Sequence, residues 1–233
     1  MSSVAIITAR GGSKRIPRKN VKPFMGKPMV AYAIAAALDS KLFDEVMVST
    51  DDAEIAEIAQ EHGAVVPFMR SAATANDYAT TADVLNEVIA EYAKRGKTFD
   101  ELCCIYPCVP FLTGELLVAA HRRFVESAAD SLMPVVKYSF PIQRAVRLNA
   151  EGCLEYREPE NAPKRSQDLE PMYHDVGMFY FHKTAAFGKS GRVAMFEMPE
   201  ERIQDIDTMD DWKMAEMKYR GTVVTMDCHS RIG

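Results

Sequence analysis

The fold of this chain is set by the stretch Ala9-Arg10-Gly11-Gly12-Ser13-Lys14-Arg15-Ile16-Pro17-Arg18-Lys19-Asn20, which follows directly on the apolar run Val4-Ala5-Ile6-Ile7. The apolar run predicts a buried strand. A strand that runs into a Gly-Gly turn is where α/β proteins bind nucleotide phosphates, because glycine lets the backbone adopt a positive φ and bring its N–H groups close to an anion. We therefore expect an α/β protein with an anion site at this turn.

The charge of this loop opposes that of the chain as a whole. The chain has a net charge of -5, yet no acid lies between residues 10 and 22, where the six cations are Arg10, Lys14, Arg15, Arg18, Lys19 and Lys22. Such a loop suits a triphosphate; the alternative is a solvated basic loop. The P-loop pattern is excluded, since Gly26-Lys27 is followed by Pro28, and the missing Gly-x-Gly-x-x-Gly weighs against a dinucleotide.

Composition narrows the class of protein further. The chain has 233 residues, of which 48% are hydrophobic and 26% are charged, as in ordinary globular domains. No run approaches the ~20 apolar residues of a membrane span, and the short apolar start is not expected to be a signal peptide. The five cysteines (Cys103, Cys104, Cys108, Cys153 and Cys228) form no Cys-x-x-Cys pair, which favours free thiols and a cytoplasmic location. We expect small-molecule substrates, without nucleic-acid or membrane partners.

Strand and helix patterns alternate through the first part of the chain. Short apolar runs predict strands at 4–7, 46–48, 64–69, 102–106 and 132–136, separated by amphipathic helices. This alternation predicts a mostly parallel sheet with helices on both faces. The pattern is lost from Lys137 to Asp175, where a hairpin is predicted around 149–152, and strands at 176–181 and 193–198 and a helix at 210–219 then follow.

Polar clusters fall at the ends of the predicted strands, where open α/β sheets bind ligands. The clusters are Arg10 to Asn20, Ser49-Thr50-Asp51, Arg70 to Thr81, and Asp205-Ile206-Asp207. In an extended segment Asp205 and Asp207 point the same way, which suits Mg²⁺ beside a triphosphate. The alternative is that one of them caps the following helix, although Asp210 and Asp211 are the better candidates for that cap.

The order Ala-Arg-Gly-Gly-Ser-Lys-x-x-Pro-x-Lys-Asn, followed by Gly-Lys-Pro, resembles the opening of the acylneuraminate cytidylyltransferases. These enzymes activate nine-carbon sugar acids with CTP. The resemblance extends from Ala5 to about Tyr219, and is supported by Ser49-Thr50-Asp51-Asp52, Arg165-Ser166-Gln167-Asp168 and Asp205-Ile206-Asp207 with Trp212. It implies a Rossmann-like nucleotide-diphospho-sugar transferase fold, with 1–233 as one cytidylyltransferase domain and 137–175 as an inserted arm for dimerisation and sugar binding.

Two departures indicate the branch of this family. Members that accept sialic acid typically carry Gln-Pro-Thr-Ser-Pro after the fourth strand, where this chain has Tyr106-Pro107-Cys108-Val109-Pro110. They also tend to have Asn-Gly where this chain has Val176-Gly177, preceded by His174-Asp175. These features resemble the pseudaminic acid branch, and N-acetylneuraminate and legionaminate remain alternative substrates.

The resemblance assigns roles to residues that would otherwise count as surface or capping groups. It implies CTP as co-substrate, held by Ala9, Arg10, Gly11, Gly12, Ser13, Lys14, Lys19, Asn20, Arg70, Ala79 and Thr81. It implies a sugar site at Tyr106, Lys137, Arg165, Gln167 and His174, and Mg²⁺ on Asp205 and Asp207. Arg10, Lys19 and Asp207 are the expected catalytic residues, and Asp207 or a hydroxide on the metal would accept the sugar proton.

Two other classes of function stay open at this level. A nicotinamide-dependent dehydrogenase could use the same fold, although the dinucleotide pattern is missing. A non-catalytic nucleotide sensor would bind CTP without releasing pyrophosphate. For His174-Asp175, a hydrogen-bonded structural pair or a sugar contact is expected, since no serine or cysteine is placed to complete a catalytic triad.

Overall fold

The computed structural model describes the backbone of residues 1–229 and the side chains of residues 1–221. The strands are β1 Ser3–Thr8, β2 Pro23–Phe24, β3 Lys27–Pro28, β4 Glu45–Ser49, β5 Glu101–Ile105, β6 Ser131–Lys137, β7 Val146–Leu148, β8 Leu154–Tyr156, β9 Tyr173–Asp175, β10 Phe179–Lys183 and β11 Val193–Glu197. The helices are α1 Met29–Ser40, α2 Ala53–Glu61, α3 Ala72–Ala75, α4 Thr81–Lys94, α5 Gly114–Ser127 and α6 Met209–His229.

A seven-stranded mixed sheet forms the centre of the molecule. Its order is β11-β6-β10-β5-β1-β4, with β9 also paired to β6. Strands β1, β4, β5, β6 and β11 run in one direction, while β9 and β10 run in the other. The predicted α/β class with a mostly parallel mixed sheet is therefore confirmed.

Alternating side chains of β1 explain why helices cover both faces of the sheet. Ala5 and Ile7 belong to a buried cluster with α1 and α5, whereas Val4 and Ile6 pack with residues of α4. Successive side chains of a strand point to opposite faces, so a wholly apolar strand requires a cover on each side. The run at 4–7 predicted this arrangement.

Side-chain caps mark the starts of α2, α4 and α5. Asp52, Thr80 and Thr113 each accept a backbone N–H of the helix that follows, as N-cap residues do. The start of α6 differs from the prediction. Thr208 and Asp211 exchange hydrogen bonds there in a capping-box arrangement, so Thr208 takes the place that we assigned to Asp210 or Asp211.

The strand predicted at 64–69 is wrong. Only Val65 pairs there, in a single parallel bridge to Met47. Pro67 follows two residues later and has no N–H with which to continue a ladder. The segment predicted as a strand at 176–181 also begins late, because β10 starts at Phe179.

A third buried cluster connects the loop after β1 to the start of α6. Ile16 from the loop and Phe24 from β2 pack there with Ile206 and Trp212, and the rings of Phe24 and Trp212 meet edge to face at 5.4 Å. This packing brings the segment around Ile206 beside the loop. None of the described helices combines the length and apolar character that a membrane crossing requires.

Candidate active site

A cleft of about 600 Å³ lies at the carboxyl ends of β1 and β5. It is lined by residues that come from five separate parts of the sequence: Thr8, Arg10, Ser13, Lys14, Arg15, Lys19, Asn20, Arg70, Thr74, Asn76, Asp77, Ala79, Thr80, Thr81, Val84, Tyr106, Pro107, Cys108, Gly177, Asp205, Ile206 and Asp207. The polar clusters predicted at strand ends thus share one cavity, except that Ser49, Thr50 and Asp51 do not line it.

Buried hydrogen bonds hold the loop after β1 at both ends. The Ala9 N–H donates to the carbonyl of Ser49 at 3.0 Å, and the Asn20 side-chain amide donates to the carbonyl of Arg10 at 2.8 Å. Asn20 is itself buried and accepts a hydrogen bond from the Cys108 thiol at 3.3 Å. Asn20 therefore shapes the loop, whatever contact it makes with a ligand.

Gly11 is needed for a reason other than the one predicted. Neither Gly11 nor Gly12 has a positive φ. A Cβ atom on Gly11 would lie 2.7 Å from a carboxylate oxygen of Asp52, and the Gly11 N–H donates to Asp51 at 2.9 Å. Gly11 permits a close approach to the helix cap of α2, whereas nothing lies within 4 Å of a Cβ built on Gly12. Ala9, Gly11 and Gly12 are not part of the cleft surface.

Two cations on the loop share one carboxylate. Asp77 accepts a hydrogen bond from Arg10 at 2.9 Å and another from Lys14. The hydrogen bond from Lys14, with that from Arg10 added to it, holds the pKa of Asp77 below its ordinary value. In the free protein, Asp77 is thus an anion at the mouth of the cationic loop.

Lys19 joins the loop to the segment before α6. Its ammonium donates to the carbonyl of Ile206 at 2.6 Å and lies 3.5 Å from a carboxylate oxygen of Asp207. Arg15 pairs with the other oxygen of Asp207 at 2.8 Å. Asp207 therefore lies between two cations, Arg15 and Lys19.

Asp205 and Asp207 are free of the helix-capping role that was their alternative, because Thr208 and Asp211 make that cap. Both line the cleft. Among the residues that the structure describes, no group of three or more His, Cys, Asp or Glu side chains is arranged to hold a metal ion. Any ion here would have to take further ligands from outside the protein, as Mg²⁺ does from substrate phosphates.

Arg70 is buried and forms part of the wall between β4 and the loop before α4. Its guanidinium donates to the hydroxyl of Ser49 at 3.0 Å and to the carbonyl of Ser49 at 2.6 Å. Burial lowers the pKa of Arg70, which shows how far this charge is removed from water. Beyond Arg70, Ala79 and Thr81 line the cleft, and the Thr81 hydroxyl lies 3.1 Å from that of Tyr106.

Only Tyr106 of the five predicted sugar-binding residues lines this cleft. Lys137 and His174 line a separate cleft of about 430 Å³, where the rings of His174 and Tyr138 are 4.8 Å apart. Arg165 and Gln167 lie on an exposed turn, and Arg165 is 3.8 Å from Asp168. Within one chain, the structure does not bring these four residues to the cleft.

The predicted pairing of His174 with Asp175 takes an unexpected form. The Nδ1 atom of His174 lies 3.0 Å from the backbone carbonyl of Asp175, and not near its carboxylate. The carboxylate instead accepts hydrogen bonds from the N–H of Gly177 and the hydroxyl of Tyr180.

Sequence reasoning missed several residues of the cleft. Arg15, Asp77 and Cys108 all line it, yet none was assigned a role. The charge of Arg15 and the polar loop around Asp77 were visible signals. Cys108 gave no such signal, because a lone cysteine carries no motif. In the structure, burial raises the pKa of its thiol to about 12.

A mixed α/β sheet whose first strand runs into a basic, glycine-containing loop at a polar cleft is typical of nucleotide-binding proteins. The family model described as "Cytidylyltransferase" matches residues 4–199. The chain belongs to this family, and it is accordingly an enzyme that transfers the CMP group of CTP to an acceptor.

Curated relatives and solved structures agree with this assignment. The chain is 37% identical over 225 residues to a pseudaminic acid cytidylyltransferase of Campylobacter jejuni, covering 94% of this chain and 97% of the relative. It is 32% identical to the CMP-N,N'-diacetyllegionaminic acid synthase of Legionella pneumophila, covering 93% and 95%. Its fold is similar to that of a CMP:2-keto-3-deoxy-manno-octonic acid synthetase complexed with CTP, with a TM-score of 0.69 at 19% identity, covering 95% of this chain and all of the other.

Proposed function

We propose that the chain catalyses the reaction of CTP with a pseudaminic-type nonulosonic acid, which gives the CMP-sugar and pyrophosphate. The observation that carries the proposal is that the cationic loop, Tyr106 and Asp207 all line one cleft. The identity to the relative from Campylobacter jejuni, over almost the full length of both chains, supports the choice of sugar acid.

In this proposal the triphosphate lies along the loop after β1. Arg10, Lys14 and Lys19 present cations to the cleft, and together with Ser13 they would contact phosphate oxygens. The triphosphate would then replace the carboxylate of Asp77 as the partner of Arg10 and Lys14. The cytosine would lie against Arg70, Ala79 and Thr81, on the other side of the same cleft.

The reaction is a phosphoryl-type transfer, in which positioning and charge stabilisation supply most of the rate. The anomeric oxygen of the sugar attacks the α-phosphorus of CTP, and the bond from that phosphorus to the pyrophosphate oxygen breaks. Lys19 stabilises the negative charge that develops. Asp207 would accept the proton of the anomeric hydroxyl, because its carboxylate lines the cleft beside the loop that would hold the triphosphate.

Asp205 and Asp207 fit a Mg²⁺ ion in their donor chemistry. Carboxylate oxygens are hard ligands, and Mg²⁺ in proteins is commonly held by one or two carboxylates together with substrate phosphates. Both carboxylates reach the cleft surface, and Asp205 makes no ion pair with any described residue. When bound, the ion would neutralise charge on the phosphates.

A pyrophosphate-release assay tests the function directly. The panel combines CTP, ATP, GTP and UTP with pseudaminic, N-acetylneuraminic and diacetyllegionaminic acids. We expect release with CTP and pseudaminic acid at a kcat/KM at least tenfold above that of any other pair. Release that is equal for all three sugar acids would contradict the proposed substrate. Binding of CTP without release would favour a nucleotide sensor.

We also propose that residues 137–175 form an arm through which two copies of the chain associate. Phe140, Leu148 and Leu154 on this segment are 85%, 69% and 71% exposed, and apolar patches of this kind commonly mark an interface. A two-fold dimer is the simplest closed arrangement. Association could bring Arg165 and Gln167 to the cleft of the partner, which would account for their distance from the cleft of their own chain.

Light scattering and mixing of variants test this second proposal. A monomer at micromolar concentration under assay conditions would contradict it. If each cleft takes residues from both chains, mixing an Arg165→Ala chain with an Asp207→Asn chain restores part of the activity, while each variant alone stays inactive. No restoration on mixing would show that each chain works alone.

A further inference from the structure

Asp175 bridges the break between β9 and β10. One of its carboxylate oxygens accepts the N–H of Gly177 at 2.8 Å, and the other accepts the hydroxyl of Tyr180 at 2.7 Å. Gly177 has a φ of +63°, a conformation that glycine adopts without strain. An ionised carboxylate is only an acceptor, so both groups donate to it and fix its orientation.

Tyr180 in turn supports Tyr106. Their rings meet edge to face with centroids 5.7 Å apart, a geometry that aromatic pairs favour. The hydroxyl of Tyr106 lies 3.1 Å from that of Thr81, at the start of α4. A continuous series of contacts therefore runs from Asp175 through Tyr180 and Tyr106 to Thr81.

Only part of this series touches the cleft. Tyr106, Thr81 and Gly177 line it, whereas Asp175 and Tyr180 do not. Burial, together with the hydrogen bond to Asp175, raises the pKa of Tyr180 well above its ordinary value, so the phenol stays a donor at every pH of interest. Tyr106 is thus in contact with a pair of residues that are not part of the cleft lining.

We propose that Asp175 is a positioning residue for binding of the sugar acid, acting through Tyr180 on Tyr106. This inference rests on the proposed function, because it assigns the Tyr106 wall to the sugar. It also explains why the two stretches at which the sequence departs from the sialic-acid pattern, at 106–110 and 174–177, are in contact through one tyrosine.

Steady-state kinetics of Tyr180→Phe and Asp175→Ala test the proposal, with CTP and the sugar acid varied separately. Tyr180→Phe removes one oxygen atom and keeps the ring, so the fold is preserved. We expect the KM for the preferred sugar acid to rise about fivefold to tenfold in each variant, since a hydrogen bond to a charged group is lost. The KM for CTP should rise by a smaller factor, because the proposed cytosine contacts with Arg70 and Ala79 are outside this series of contacts. The double variant should lose no more than Asp175→Ala alone, because both changes break one linkage.

Tyr92→Phe is the matched control. Tyr92, near the end of α4, donates to the carboxylate of Glu45, and neither residue lines the cleft, so the change also breaks a tyrosine–carboxylate pair. It should lower the melting temperature without changing the KM for the sugar acid. If Asp175 only fastens β9 to β10, its variants will behave like Tyr92→Phe, and that result overturns the proposal.

The same experiment separates this inference from the function on which it rests. A wild-type chain that turns over a sugar acid, with both variants unchanged in KM, refutes the role of Asp175 and leaves the function intact. A wild-type chain that releases no pyrophosphate with any sugar acid refutes the proposed function and this inference together.

Discussion

Replacement of Lys19 by methionine tests the centre of the proposed mechanism. Methionine keeps an unbranched apolar side chain and removes only the ammonium. That ammonium donates to the carbonyl of Ile206 at 2.6 Å and lies 3.5 Å from Asp207, and the side chain is only 20% exposed. Because this charge faces the proposed triphosphate, it is well placed to act when pyrophosphate begins to leave.

Two separate losses follow from the change. Loss of the hydrogen bond from the charged donor to the carbonyl of Ile206 should reduce the free energy of unfolding by about 1.5–3 kcal/mol. Loss of a fixed charge contact in the transition state should reduce kcat by roughly 10²-fold, which is about 2.7 kcal/mol. A chain of this length loses about 2–4 °C of melting temperature for each kcal/mol, so the variant should stay folded at 25 °C.

The assay measures kcat and both KM values by pyrophosphate release, with the melting temperature measured on the same samples. Lys27→Met is the matched control, because Lys27 is exposed on β3 and does not line the cleft. A Lys19→Met variant with a lower melting temperature but a kcat within twofold of wild type would show that Lys19 only anchors Ile206, and would refute the mechanism.

Three further perturbations have clear expected outcomes. EDTA should abolish activity and Mg²⁺ should restore it, whereas Asp207→Asn should stay inactive at any Mg²⁺ concentration in the pyrophosphate assay. Asp77→Asn should lower the KM for CTP by about twofold to fivefold, because the competing anion on Arg10 and Lys14 is removed, and the gain should shrink at high salt. Burial lowers the pKa of His182 from 6.5 to about 4, so the folded state binds fewer protons than the unfolded chain between these values. The free energy of unfolding should therefore fall as the pH decreases from 6.5 to 4, and His182→Gln should flatten this dependence in denaturant titrations.

Each of these outcomes can fail in a defined way. Full activity in EDTA, or in the Asp207→Asn variant, would remove the metal from the mechanism. A KM for CTP that rises in Asp77→Asn would show that Asp77 orients the loop cations and does not compete with the triphosphate; Asp210→Asn, on the exposed side of α6, controls for the lost charge. A His182→Gln variant with the wild-type pH dependence would assign the acid sensitivity to other groups.

The sequence by itself determined the fold class and most of its elements. Short apolar runs and amphipathic helix patterns are properties of residues that are close in the sequence. The same is true of the helix caps at Asp52, Thr80 and Thr113. The prediction at 64–69 failed where a local rule was overlooked, since Pro67 interrupts that segment. The basic loop after β1 was also evident, because its charges are contiguous in the sequence.

Only the tertiary structure decided which polar groups contact one another. Arg10 and Asp77 are separated by 67 residues, and Lys19 and Ile206 by 187. Hydrophobic periodicity and helix caps involve residues close in the sequence, so they cannot predict contacts between residues so far apart along the chain. The antiparallel insertion of β10 between β5 and β6 brings Gly177 to the cleft and Tyr180 beside Tyr106, and it depends on strand pairings across the whole chain. Local sequence can place a side chain at the end of a strand, but its partner is chosen by the order of the strands in the sheet.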